Sequence, residues 1–294
     1  MRPLLAVAVM AIMAALTAAG PAAAKSTGQT IWDQAFKVGD APTLHVSTND
    51  AHVRLHIGNA NTIQAHVVHD LKKWGLYVND SPTEVSLLQN GDVVEVSART
   101  RGVGVVFGGV SEQFTIDVTL PAHCTVTVRS GDGAVDVPAM SGHLEVQTGD
   151  GHIRVSGARG DIQLASGDGG IDAEGLDGAL RAHSGDGHLH VSGRFDVLEL
   201  RTGDGHMEAN AARGSKLAEQ WNLETRDGGM QVHIPHDLRA MLDARTGDGR
   251  LHVDLPISVR GDIRHHQLTG ELNGGGPLLR LRSGDGSLLL GLSD

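Results

Sequence analysis

Four consecutive words decide the fold: TGDGHIRV (148–155), SGDGGIDA (166–173), SGDGHLHV (184–191) and TGDGHMEA (202–209). Asp150, Asp168, Asp186 and Asp204 lie 18 residues apart, each flanked by glycine on both sides. SGDGAVDV (130–137) precedes them at the same interval. TRDGGMQV (225–232), TGDGRLHV (246–253) and SGDGSLLL (283–290) follow, with Asp-to-Asp gaps of 23, 21 and 37. A fixed period of this length signals a repeat architecture, in which each unit buries its apolar face only against its neighbours.

The register around each Asp carries the fold further. Six and four residues before it, and three and five after it, every copy is apolar. Around Asp150 these are Leu144, Val146, Ile153 and Val155; around Asp186, Leu180, Ala182, Leu189 and Val191; around Asp227, Trp221, Leu223, Met230 and Val232. The residue inside the first pair is polar in every copy, as with Glu145, Arg181 and Asn222. Such period-two alternation marks a strand with one buried face. The sequence therefore predicts an all-β, single-domain β-solenoid of about 18-residue coils with two short strands per coil.

One coil buries about four aliphatic side chains, too few to offset ordering its residues at roughly 1–2 kcal/mol each. Stacking supplies the remainder. An antiparallel meander with hairpins at the Asp-Gly turns would not set identical residues on one another, whereas a solenoid does.

Working outward, the chain divides into a signal peptide at 1–24, an irregular β-rich part of the solenoid at 25–125, and the regular repeat at 126–294. Leu44, Val46, Val53 and Leu55 around Asp50, and Val85, Leu87, Val94 and Val96 around Gly91, read as eroded coils. Longer excursions are expected at 70–82 and 101–110, and a cap at 25–43 carrying Trp32 and Phe36. The 23-residue gap implies five extra residues within 211–220. The 37-residue gap implies a degenerate coil ending near Asn273-Gly274-Gly275-Gly276-Pro277, and Leu288–Leu290 an uncapped last coil able to pair end to end.

Composition agrees. With 40 glycines in 294 residues and only 3% aromatics, the core must be small and aliphatic. Acids outnumber bases 35 to 24, for a net charge of -11, which excludes nucleic acid as a partner. Arg2, the apolar run from Leu4 and the Ala22-Ala23-Ala24 site read as an export signal. Lys25 follows that site, so no lipid-anchoring cysteine stands there. After cleavage no membrane-spanning stretch is expected, and the location is the periplasm or outside the cell. The single cysteine, Cys124, permits no intrachain disulfide.

Three chemistries compete for the polar residues. The turn aspartates read as structural acceptors of turn amides, their flanking glycines supplying positive φ. A calcium ladder is the alternative, since calcium β-rolls also use 18-residue coils. Here, however, only one turn per coil carries the Asp, and Ser156-Gly157-Ala158-Arg159-Gly160 does not match. Among the 17 histidines, His152, His188 and His206 form one outward column, and His188 and His190 share a strand face. His66/His69 and His265/His266 are further pairs. All read as solvated positions. A carbohydrate-active β-helix enzyme is the third reading. It would need one local carboxylate group and aromatic platforms, and beyond Arg129 only Phe195 and Trp221 are on offer. Asp136, Arg154, Asp172, His190 and Glu208 make a column of mixed sign, expected to bridge between coils. No catalytic, cofactor-binding or metal residue is assigned, and no cofactor.

The SGDG and TGDG words, the closing GELNGGGPLLRLRSGDGS (270–287) and the signal peptide together resemble the bacterial putative-adhesin family of exported β-strand-repeat proteins, a domain of unknown function. The resemblance implies a β-solenoid and a role at the envelope or surface, and carries no catalytic residues. The expected function is thus non-enzymatic. The solenoid would present a repetitive charged surface for adhesion, envelope binding or scaffolding, to an envelope polymer, a protein or another copy of itself.

Overall fold

A computed structural model describes residues 26–79, 83–99, 104–255 and 266–293, and the expected signal peptide lies outside them. The described residues form strands and turns, and no helix among them is long and apolar enough to cross a membrane.

The alternating pattern builds two stacked faces of one solenoid. On the first, the strands before each turn pair in parallel, with Val126, Leu144, Ile162, Leu180 and Leu198 aligned. On the second, the strands after each turn do the same, aligning Val135, Ile153, Ile171, Leu189 and Met207. Ile171–Ser184 and Leu189–Thr202 run unbroken round the corner from one face to the other. The side chains at the four apolar positions are buried in every coil except at Leu251 and Val253. Those two are partly buried because Leu251–Val253 lies at the end of the second face, pairing only with Leu288–Leu292 among the described strands.

The turn glycines serve a purpose other than the expected one. None of those flanking the turn aspartates has positive φ. The second glycine of each turn instead sits against the coil beneath. A Cβ on Gly151, Gly169, Gly187 or Gly205 would stand 2.2, 2.1, 2.2 or 2.0 Å from the carbonyl oxygen of Gly133, Gly151, Gly169 or Gly187. Positive φ occurs at the opposite corner, at Gly157 and Gly175 (73° and 63°), where the chain turns without an Asp.

Nor do the turn amides bind the aspartates. Gly167 N donates to Gly149 O, and Gly185 N to Gly167 O, each at 2.6 Å, so the amides bond the coil below. The Ser or Thr before the GDG is the buried polar member at Thr148, Ser166, Ser184, Thr202, Thr246 and Ser283, while Ser130 in the first such turn is partly buried and its hydroxyl bonds no neighbour. Ser184 Oγ donates to Gly169 O at 3.1 Å and accepts from Gly187 N at 3.0 Å. Thr202 Oγ1 donates to Gly187 O at 3.0 Å. The Ser/Thr preference is therefore a hydroxyl ladder along the core edge.

Both ends depart from sequence order. Thr43–Thr48 lies between Val93–Arg99 and Thr125–Ser130, parallel to both. His52–Ile57 likewise pairs with Gly104–Leu120 on one side and Val135–Val137 on the other. At the far end Leu278–Ser283 slots between Trp221–Thr225 and Ala240–Thr246. The last coil in sequence is next to last in space. Leu288–Leu292 is accordingly paired on both sides, and the expected open edge at Leu288–Leu290 does not exist.

Three more expectations change. The 37-residue gap does not end in a degenerate coil. Gln267–Leu272 runs antiparallel on the outer side of Ala240–Thr246. The chain then crosses over that strand's start through Asn273, Gly274 and Gly275, all at positive φ, with Asn273 Nδ2 donating to His236 O and Leu238 O. The QNGD segment is a hairpin: Glu84–Asn90 folds back antiparallel on Val93–Arg99, and only the latter joins a coil. The excursions at 70–82 and 101–110 meet each other over 73–79 and 104–110, with register shifts, since Thr62–Asn79 runs antiparallel to Gly104–Leu120. Ser26–Lys37 adds a third antiparallel strand outside them, with Phe36 buried and Trp32 packed on the core. The 23-residue gap does place its extra residues between Ala211 and Trp221. Most of them are exposed, and the segment is anchored by Leu217, which is buried, and by Ser215 Oγ, which accepts from Phe195 N at 3.0 Å.

An ion pair fastens the interleaved C-terminal coil. Arg282 donates to the carboxylate and, at 2.9 Å, to the carbonyl of Asp243, and Arg245 lies 3.1 Å from the same carboxylate. Burial alone would raise the Asp243 carboxyl, but Arg282 and then Arg245 hold it below its ordinary value of 3.8. A depressed folded pKa contributes stability that is complete above the ordinary value and lost as pH falls through the lower, folded one. Melting midpoints measured against pH should thus fall below the ordinary value, and Asp243→Asn should show a shallower acid decline. Gly187→Ala should lose about 1–3 kcal/mol of stability in urea titration by forcing the coils apart. Asp186→Asn in the same turn, which only relieves repulsion from Asp168 and Asp204, should not lower it, and at low salt should raise it by up to about 2 kcal/mol.

Candidate binding surface

Stacking sorts the outward side chains into columns, and three surfaces result. The first is the turn edge. Asp50, Asp132, Asp150, Asp168, Asp186, Asp204, Asp227, Asp285 and Asp248 follow one another in space, all exposed. Neighbours lie about one strand spacing apart, ~4.8 Å. Arg226, at 4.0 Å from Asp204, is a basic side chain close to this ridge. The acids of the ridge form no group of three converging ligand atoms among the described residues.

The second surface is the outward side of the second face, where acids and bases alternate from coil to coil. His52 lies 2.6 Å from Asp136, Arg154 is 3.6 Å from the same carboxylate, and His190 is 3.3 Å from Glu208. The expected bridging of the mixed column is thus present, except that Asp172 turns away from it. Asp172 lies between His152, at 2.9 Å, and His188, at 3.2 Å. Burial would raise the Asp172 carboxyl, but these two histidines outweigh it and hold the group below its ordinary value. His206, in the same column as His152 and His188, is exposed.

The remaining histidine pairs separate. His66 faces Asp33 at 3.5 Å, while His69 is buried, bonded to Glu112 at 2.7 Å and stacked on Phe114. Three residues along a strand point to opposite faces, so such a pair cannot converge. His266 bonds Gly249 O, and His265 lies outside the described residues.

The third surface is the outward side of the first face. Ala165 leaves an open depression of about 250 Å³ lined by Glu145, Gln163, Arg181, His183, Glu199 and Arg201. Its charges are paired: Arg181 with Asp161 at 2.9 Å, Arg201 with Glu199 at 2.8 Å. Where the repeat fails, the 211–220 insertion meets the 273–277 crossover around a second depression of about 460 Å³, carrying Lys216, Asp237 and Arg239. No carboxylate pair in these depressions stands apart from the ladder pattern. Cys124 supplies no nucleophile either: burial pushes its thiol up to about 11, and Sγ donates to Pro42 O. It stays protonated at neutral pH.

Sequence reasoning assigned no ligand residue, and the convergence of His152, Asp172 and His188 was missed. The available signal was Gly170, standing in the histidine column between His152 and His188, with Asp172 two residues on.

Residues 42–285 match the family model described as Toastrack DUF4097. No curated protein matches the chain. Similar solved structures include a putative cell adhesion protein from Clostridium sporogenes, 12% identical over 90% of this chain and 100% of that one, with a TM-score of 0.27. A putative adhesin from Parabacteroides merdae is 9% identical over 88% and 95%, with a TM-score of 0.37. One from Parabacteroides distasonis is 7% identical over 89% and 97%, with a TM-score of 0.30. Such low values carry no argument about activity or partner.

The inward hydroxyls and the outward charges should differ sharply in worth. Arg154→Ala, an exposed ladder pair, should change stability by less than about 1 kcal/mol. Ser184→Ala should cost ~1–3 kcal/mol by leaving buried turn groups unpaired. Urea denaturation of both variants measures the difference.

Proposed function

Since the chain belongs to the Toastrack DUF4097 family, we propose that it is a non-catalytic, exported solenoid that presents its charged columns to an extended partner at the envelope or cell surface. The observation that carries this reading is the ridge of nine exposed aspartates, one per coil, from Asp50 to Asp248. A line of like charges at constant spacing matches a partner that itself repeats, such as an envelope polymer with cationic groups. A small substrate would engage only one coil and gain nothing from the other eight.

The net charge of -11 gives the attraction its sign. Catalysis by carboxylates would call for one pair set apart by environment. The ridge acids instead share one environment.

Binding of the purified protein to isolated cell envelopes, measured by co-sedimentation, tests the reading. The Debye length shrinks from about 10 Å at 0.1 M salt to 3 Å at 1 M, so binding should weaken by roughly tenfold or more across that range. Single replacements such as Asp168→Asn should each reduce it slightly. The triple variant Asp150→Asn, Asp168→Asn, Asp186→Asn should reduce it about as much as high salt does. Salt-independent binding would overturn the proposal. So would polysaccharide turnover abolished by one Asp→Asn and by none of its neighbours. A calcium-dependent rise in melting midpoint above about 2 °C, lost in the triple variant, would replace it with a calcium-loaded ridge.

A further inference from the structure

Three consecutive coils meet on the second face. Asp172 Oδ2 lies 2.9 Å from His152 Nε2, and its Oδ1 lies 3.2 Å from His188 Nε2. The two imidazole rings are 5.6 Å apart between centroids, and one ligand atom from each of the three residues falls within 4.8 Å of the others. We propose that His152, Asp172 and His188 form a binding site for a divalent transition metal of the zinc, nickel or copper class.

The donor set selects that class. Two imidazole nitrogens and one carboxylate oxygen suit zinc, nickel and copper, whereas calcium takes six to eight oxygens. Spacing agrees as well. A tetrahedral ion with bonds of about 2.0–2.1 Å holds its ligand atoms roughly 3.3 Å apart. The nitrogen–oxygen distances of 2.9 and 3.2 Å reach different oxygens of Asp172, and binding turns that carboxylate to offer one of them to the ion.

Gly170 is the independent observation. The histidine column runs His152, Gly170, His188, so the middle coil omits the side chain that would separate the two rings. A Cβ on Gly170 would stand 2.2 Å from Cε1 of His188 and 2.6 Å from its Nδ1. The His188 ring lies over that backbone, and Gly170 is buried beneath it. Elsewhere on this face His52 meets the single carboxylate of Asp136, and His190 is one ring between Glu174 and Glu208. Among the described residues no other three histidine, cysteine or acidic side chains converge in this way.

The platform is rigid before any ion arrives. Ile153, Ile171 and Leu189 are aligned neighbours in the parallel ladder. Ile153 N donates to Gly170 O at 3.0 Å and Ile171 N to His188 O at 2.8 Å. No loop has to be ordered on binding, which removes one of the main entropic costs. Three protein ligands leave a fourth position, and His188, 51% exposed, places the cluster at the surface. A water molecule or a donor atom from a partner fits there.

Zinc titration by calorimetry on metal-stripped, tag-free protein tests the site, with cobalt absorption as the probe of tetrahedral geometry. One ion per chain should bind at about 1 μM or tighter. His152→Ala and His188→Ala should each weaken it by roughly tenfold or more. Gly170→Ala, which keeps all three ligands but drives the His188 ring aside, should weaken it similarly. His206→Ala, in the same column and outside the cluster, should leave it unchanged. Circular dichroism of each metal-free variant separates loss of the site from loss of the fold. The proposal falls if zinc affinity and stoichiometry are the same in His188→Ala, Gly170→Ala and the parent. It also falls if the parent binds no ion at about 100 μM zinc.

Discussion

At every Gly-Asp-Gly turn the backbone of one coil rests directly on the carbonyl of the coil beneath, with no room for a Cβ between them. Gly205 over Gly187, Gly187 over Gly169 and Gly169 over Gly151 repeat the same contact at 2.0–2.2 Å from the missing Cβ. That contact sets the spacing of the stack, and the rest follows from it. The amide-to-carbonyl bonds between successive first glycines, the hydroxyl ladder of Ser184 and Thr202, and the alignment of Leu144, Ile162, Leu180 and Leu198 all need coils held at one height. Stacking also places like carboxylates about 4.8 Å apart, a repulsion near 0.9 kcal/mol per neighbouring pair in water. The aspartates tolerate this because they project into solvent, while each ladder hydrogen bond contributes ~0.5–1.5 kcal/mol in the other direction.

A stack of strands has the opposite problem at its ends, where unpaired edges invite association. On the first face both ends are closed by a strand that reverses direction: Glu84–Asn90 at one and Gln267–Leu272 at the other. Inside each closure the chain breaks sequence order, so that Thr43–Thr48 and Leu278–Ser283 are gripped on both sides. Neither end can peel away one coil at a time without first breaking pairings made with residues distant along the chain. The Asp243–Arg282 pair lies across one of these seams, where a partly buried charge is most useful in fixing which strand sits beside which.

Uniform repetition and local difference then divide the surface between them. The ridge of aspartates is the same in every coil and therefore suits an extended partner. The cluster at Asp172 exists because one coil differs from its neighbours: Gly170 removes the bulk between two histidines, and Asp172 answers both. In a solenoid, a distinctive site arises by omission as readily as by insertion.

The period, the two strands per coil and the inward set of apolar residues were legible in the sequence, because all three express local geometry. Strand side chains alternate with period two whatever the strand pairs with, so Leu144, Val146, Ile153 and Val155 could be placed inside before any partner was known. Only the tertiary structure decided the order of the coils, since a strand edge accepts any partner of matching register and Leu279 pairs with Trp221 on one side and Leu242 on the other. The glycines were recognised as required but for the wrong reason, because a close approach between chains leaves no mark on φ. The histidine cluster stayed hidden because its members are separated along the chain by 20 and 16 residues, from His152 to Asp172 and from Asp172 to His188. Those diagonal steps straddle the 18-residue period, and they become neighbours only when the coils are laid one on another.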